Sequence, residues 1–146
     1  MFKLKLVDTH LAIIVTHLLV TLPFAIWMMR GFFIDLPLEI EEAARVDGCS
    51  KWQVLWRIAL PLAALGIAVT ALFCFIFSWN EFVFALVLSR KEAITLPVVI
   101  AGTRTQFGIH WPIMTAMSAM SCLPVFFLAL VAQKYLVRGM TLGAVK

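Results

Sequence analysis

The 146-residue sequence predicts an all-α integral membrane protein with three transmembrane helices and one short polar helix beside the bilayer. Three observations carry this expectation. Hydrophobic residues make up 63% of the chain against 14% charged, and the mean hydropathy is +1.01, far above what a soluble domain of this length can present to water. Three apolar segments reach the roughly 20 residues that a hydrocarbon core demands. None of them holds a Lys, Arg, Asp or Glu, apart from Glu81 in the continuation of the second. Backbone N–H and C=O groups find no water in lipid, so each segment must satisfy them internally as a helix.

The first predicted span is Leu11 to Met29. Lys3 and Lys5 precede it in the manner of a secretory leader. The apolar run is longer than such a leader uses, however, and Trp27-Met28-Met29-Arg30 offers no small-residue cleavage site, so the segment is expected to be retained. His10 and His17 share a face but stand about 10 Å apart along the axis, too far to hold one metal. His10 is placed at the interface and His17 against a neighbouring helix.

Residues 36–57 form the most polar stretch. Leu36-Pro37 opens a helix, because proline is preorganised for the first helical position, and Glu39, Glu41 and Glu42 oppose the positive end of its dipole. Gly48 is expected to close it as a left-handed cap. Ser50 and Gln53 then form a capping box that starts a second helix, on which Trp52, Leu55, Trp56 and Ala59 share one face. The tryptophans suit the headgroup boundary. Pro61 removes an N–H and crowds the Arg57 carbonyl, which predicts a bend at the entry to the second span. The short polar helix has two readings, an interfacial connector or a docking element. Its narrow face of Ile40, Ala43 and Ala44 is poor for lipid and good for close approach to a protein groove.

The second span runs from Ile58 to Trp79, with an apolar continuation to Leu88. Ala59, Ala63, Gly66, Thr70, Cys74, Ser78 and Glu81 fall within about 120° of one another at helical spacing, interrupted by Phe77. Such a stripe serves tight helix packing. Glu81 opens an alternative, since ionisable groups at membrane depth are costly and turn towards cavities or partners. Asn80 and Glu81 lie roughly 30 Å beyond Pro61, at the outer mouth. They are candidate pathway or substrate contacts, or hydrogen-bond partners of a neighbouring helix.

Residues 89–112 form an outer loop with Leu96-Pro97, Gly102 and Gly108 as turn signals; it reaches outward or simply connects. The third span, Ile113 to Ala132, carries Thr115, Ser118, Ala119 and Cys122 on one face and a predicted kink at Pro124, and a tail of residues 133–146 follows. Met114, Met117 and Met120 read as lipid or core contacts rather than a metal path. Cys49, Cys74 and Cys122 match no disulfide or zinc spacing and read as small apolar fillers.

Lys and Arg counts set the orientation. Seven flank the polar loop and the tail (Arg30, Arg45, Lys51, Arg57, Lys134, Arg138, Lys146), against five on the opposite side (Lys3, Lys5, Arg90, Lys91, Arg104). The excess places the polar loop and the tail of residues 133–146 in the cytoplasm. No basic cluster dense enough to track phosphates occurs, so the net charge of +4 calls for no nucleic acid. The sequence holds no HExxH, GxSxG, Walker or GxGxxG pattern, so no enzymatic activity, metal or bound cofactor is expected of the chain itself.

Glu42-Ala43-Ala44, three residues, Gly48, nine residues, then Ile58-Ala59-Leu60-Pro61 reproduces the EAA loop of binding-protein-dependent ABC importer permeases. Leu22-Pro23-Phe24-Ala25-Ile26-Trp27, Arg30-Gly31-Phe32-Phe33, Ser78-Trp79-Asn80-Glu81-Phe82 and the tail Tyr135-Leu136-Val137-Arg138-Gly139-Met140-Thr141 extend the likeness. Together they resemble the carbohydrate branch of that family, the maltose-type second permease subunit, over essentially the whole chain. The resemblance implies that the short helix is a coupling helix seated in a groove of a cytoplasmic ATPase subunit. Glu42, Ala43, Ala44 and Gly48 carry over by position, Arg45 and Asp47 stand beside them as polar contacts, and Ile58, Leu60 and Pro61 form the hinge into the span. It further implies ATP and Mg on that partner, a second permease subunit, an extracytoplasmic sugar-binding protein at the outer loop, and multi-pass residence in a bacterial inner membrane. Such permeases have six spans in about twice this length, so the chain is expected to be the C-terminal half of the fold. The alternative is a truncated, non-transporting relic or a small membrane scaffold.

Overall fold

The computed structural model describes residues 7–105 and 108–143, without the side chains of Thr105 and of residues 134–143. Lys3, Lys5 and Lys146 of the charge count, and the side chains of Lys134, Arg138 and the Tyr135-to-Thr141 motif, lie outside the described residues.

Helix α1 spans His10–Ile34 and runs through Pro23 without a break. Thr9 caps it, its hydroxyl accepting the Ala12 N–H at 3.3 Å. Inside the helix, the Thr16 hydroxyl donates to the Ala12 and Ile13 carbonyls and the Thr21 hydroxyl to that of His17. These bonds back to the preceding turn let hydroxyls lie on a packed face of an apolar helix without an orphaned donor. Ala12, Thr16 and Thr21 are accordingly its buried positions.

The polar stretch folds as α2, Leu38–Val46, and α3, Lys51–Val54. From α3 the chain continues through a π-helical segment, Leu55–Ala59, into the single turn α4, Leu60–Leu62. The Leu60 N–H reaches five residues back to the Leu55 carbonyl, just ahead of Pro61, which has no N–H to give. At Ala63, with φ −80° and ψ 4°, the path turns sharply: Lys51–Leu62 and Ala64–Trp79 meet at 71°. The bend expected at Pro61 is present, two residues further on.

Helix α5, Ala64–Trp79, packs antiparallel to α1, since Gly66 faces Phe32, Thr70 meets Met29 and Ser78 meets His17. Helix α8, Trp111–Gly143, lies along the other side of α5, and the Trp79 indole donates to the Ser121 carbonyl at 3.1 Å. By length and composition α1 and the Trp111–Gln133 part of α8 can cross a membrane, and the bent pair forms a third crossing if it counts as one span. The protein is therefore an all-helical membrane protein. The small stripe of the second span turns to helix packing. Ala59, Ala63, Gly66 and Thr70 are buried, whereas the large apolar side chains of α1 and α8 point outward, with Trp27 at 70% exposure and Met120 at 68%.

Three expectations need correction. The second span does not continue unbroken to Leu88: it ends at Trp79, and the helix resumes as α6, Val83–Leu88. Residues 89–112 are not plain loop either, since they hold α7, Leu96–Gly102, and a two-residue antiparallel pair, β1 Arg104–Thr105 with β2 Gly108–Ile109. Leu96-Pro97 starts a helix there, because a proline without N–H is tolerated in a first turn. Finally, the predicted tail is not separate from the third span: α8 holds Pro124 within it and its backbone continues to Gly143.

Candidate functional site

Two places concentrate polar chemistry, at opposite ends of the bent helix pair. At the inner end, under the orientation expected from the charge count, α2 is finished by a Schellman turn. The Cys49 N–H reaches the Ala44 carbonyl and the Gly48 N–H that of Arg45, both at 3.0 Å, with Gly48 at φ 84°. Two residues later the Ser50 hydroxyl accepts the Gln53 N–H at 3.4 Å and the Gln53 side chain accepts the Ser50 N–H at 2.7 Å. The two helices are thus joined by a four-residue turn whose end groups are paired from both sides.

Within α2, Glu42, Ala43, Arg45, Asp47 and Gly48 are exposed, whereas Ala44 is buried at 6% exposure on the side that meets α3. The expected small-residue face is therefore divided: Ile40 and Ala43 look outward and Ala44 holds the turn together. Arg45 lies 3.4 Å from Glu41 in an exposed i,i+4 pair, worth only about 0.3–0.5 kcal/mol. Ile58 and Leu60 are half-buried and Pro61 is exposed in the segment leading to the bend.

The outer end is built around the break in the second span. The Glu81 carboxylate accepts the Phe84 N–H at 2.7 Å and the Ala85 N–H at 3.0 Å, filling the start of α6. Asn80 remains exposed, its amide donating to the Ile76 carbonyl at 2.8 Å. From α1, His17 reaches both sides of the break: Nδ1 stands 2.7 Å from Ser78 Oγ, and Nε2 3.4 Å from Glu81 Oε2. The neighbouring helix expected at His17 is thus α5 together with its broken continuation.

A cavity of about 290 Å³ opens beside this break, lined by His17, Phe75, Ser78, Trp79, Thr95 and Pro97 among others. Two polar atoms of residues that line it, His17 Nε2 and Thr95 Oγ1, are buried without a hydrogen-bond partner. Each such omission costs about 1–3 kcal/mol. A second, wholly apolar cleft of about 230 Å³ lies between α5 and α8.

Sequence reasoning missed Asp8. This residue has φ 63°, its N–H reaches the Leu88 carbonyl at 2.8 Å, and its carboxylate accepts the N–H groups of Arg90, Lys91, Glu92 and Ala93. It clasps the start of α1 to the chain leaving α6. The available signal was Asp8-Thr9 ahead of an apolar run, a helix-start pattern; the partner segment more than eighty residues away leaves no local trace. The Arg90 N–H is the main reason that the Asp8 carboxyl is lowered from 3.8 to about 2, with burial opposing and the next three N–H groups adding. A depressed carboxyl stabilises the fold above its ordinary value, and that contribution disappears as pH falls from roughly 4 through 2. Asp8→Ala is expected to speed amide exchange at Arg90–Ala93 by about tenfold at neutral pH, read by hydrogen exchange. Exchange at the wild-type rate would remove the clasp.

The chain matches the family model described as "Binding-protein-dependent transport system inner membrane component" over residues 1–142. It is 44% identical over 144 residues to a probable ABC transporter permease protein, y4oR, of Sinorhizobium fredii, covering 99% of this chain and 52% of the relative. It is 40% identical over 146 residues to the trehalose/maltose transport system permease protein MalG of Thermococcus litoralis, covering 99% and 52%. A third relative, the diacetylchitobiose uptake system permease protein DasC of Streptomyces coelicolor, is 40% identical over 131 residues, covering 89% and 48%. Among solved structures, a chain of a bacterial ABC transporter involved in importing the acidic polysaccharide alginate superposes with a TM-score of 0.65 at 33% identity, over 77% of this chain and 45% of that one. The chain spans about half the length of these curated relatives.

Proposed function

The chain belongs to the family of inner membrane components of binding-protein-dependent transport systems, and from that membership we propose that it is a permease subunit of an ATP-driven carbohydrate importer. In this reading it forms part of the translocation pathway and couples that pathway to a cytoplasmic ATPase subunit, which alone binds ATP and Mg and carries out hydrolysis. Its other partners are a second permease subunit and an extracytoplasmic sugar-binding protein, in a bacterial inner membrane. The sugar class rests on relatives whose names specify trehalose, maltose and diacetylchitobiose.

The observation that carries the coupling role is the double-capped turn between α2 and α3. A floppy link would absorb a displacement of α2. Fixed at both helix ends, this one passes the displacement to α3, and the 71° bend converts it into movement of α5. Glu42, Ala43, Arg45 and Asp47 supply the exposed contact surface, Ala44 and Gly48 hold the turn, and Ile58, Leu60 and Pro61 lie along the hinge. At the outer mouth, exposed Asn80 contacts the pathway, and Glu81 shapes it through the start of α6 and through His17.

Ala43→Cys in the assembled complex is expected to crosslink to a cysteine scanned along the ATPase groove, and Lys51→Cys much less. The same complex, reconstituted with its binding protein, should take up at least one of maltose, trehalose and diacetylchitobiose. Equal crosslinking from both positions would refute the docking arrangement.

A further inference from the structure

We propose that the cavity beside the outer break is a subsite for a single sugar ring, recognised by Thr95 and His17 against an aromatic wall of Phe75 and Trp79. The proposal rests on the carbohydrate reading above and names residues other than the Asn80–Glu81 pair that the sequence singles out.

Size comes first. At about 290 Å³ the cavity stands at the lower end of small-ligand pockets, which begin near 300 Å³, and has room for one ring. The wall has the chemistry a pyranose needs. Phe75 and Trp79, which both line the cavity, stack on each other with ring centroids 5.5 Å apart and planes inclined by 22°, so this side of it is aromatic and apolar. The Trp79 indole N–H is held by the Ser121 carbonyl, so that wall is fixed in orientation.

Hydrogen-bonding capacity is the second observation. Thr95 Oγ1 and His17 Nε2 belong to residues that line this one cavity, and both lack a partner. Glu81 stands 3.4 Å from His17 Nε2 without hydrogen-bonding it, its carboxylate lying on the Phe84 and Ala85 N–H groups. The other imidazole nitrogen is committed to Ser78. A hydroxyl both donates and accepts, so adjacent hydroxyls on a sugar ring satisfy the imidazole nitrogen and the threonine whichever tautomer the histidine holds. Position completes the case, since His17 lies about 10 Å below the outer end of α1, where a ring released from outside first meets the helices.

The test uses the reconstituted complex and whichever of maltose, trehalose and diacetylchitobiose it takes up. Thr95→Val keeps the side-chain shape and is expected to raise KM roughly fivefold; Thr95→Ser should restore the wild-type KM. In Thr95→Cys, a small methanethiosulfonate reagent added from outside should label the thiol, and the transported sugar should slow that labelling. A Thr95→Val KM indistinguishable from wild type, or labelling indifferent to sugar, overturns the subsite while leaving the importer reading intact. Uptake of none of the three sugars by the wild-type complex overturns the carbohydrate reading and the subsite with it.

Discussion

If the chain couples a carbohydrate importer as proposed, Gly48→Val is expected to eliminate sugar uptake and substrate-stimulated ATP hydrolysis in the reconstituted complex, while the basal hydrolysis of the ATPase subunits persists. The cause is conformational rather than a clash: at φ 84° nothing lies within 4 Å of an added Cβ. A β-branched residue is strongly disfavoured in the left-handed region, at a cost of at least about 1–2 kcal/mol, and relieves it by unwinding the turn. Unwinding releases the bonds from the Cys49 and Gly48 N–H groups that end α2. Gly48→Asn discriminates between loss of this turn and general damage, because asparagine tolerates the left-handed region. It should keep most of the uptake. Uptake by Gly48→Val at the wild-type rate would end the transmission argument.

Gly66→Ala forces α1 away from α5. Its Cβ would stand 2.3 Å from Phe32 Cγ, 2.6 Å from Cδ2 and 2.8 Å from Phe32 Cβ, and the last of these is attached to the backbone, so a ring rotation cannot clear it. Overpacking of this kind costs about 1–3 kcal/mol. The thermal midpoint of the assembled permease in detergent is expected to fall, and Phe32→Ala on the same chain, which removes Cγ and Cδ2 but keeps Cβ, to recover part of the loss. Pairwise coupling separates contact from incidental damage. If the two substitutions act additively, Gly66 and Phe32 do not meet.

Features with a short sequence period or a local chemical cause were legible. The apolar runs, the Gly48 cap, the Ser50–Gln53 box and the stripe from Ala59 to Ser78 each depend on residues within a few turns of one another. Pro61 signalled a bend, but its location at Ala63 depends on how the wider turn at Leu55–Ala59 redistributes the hydrogen bonds. The break after Trp79 was hidden because apolar residues on both sides preserve membrane-like hydropathy; only the outward glance of Asn80-Glu81 hinted at it. Asp8 and Thr95 were invisible for a different reason. Each acquires its significance from a segment far away along the chain, which composition and periodicity do not address.

The wider turn at Leu55–Ala59 has a geometric consequence. A π-helical turn accommodates one residue more than the α-helical turn it replaces. In a plain α-helix that surplus would swing everything downstream by about 100° of azimuth. Absorbed where it is, it lets the short polar knuckle and the long apolar rod keep independent phases, so the exposed face of α2 and the side α5 shows α1 are set separately.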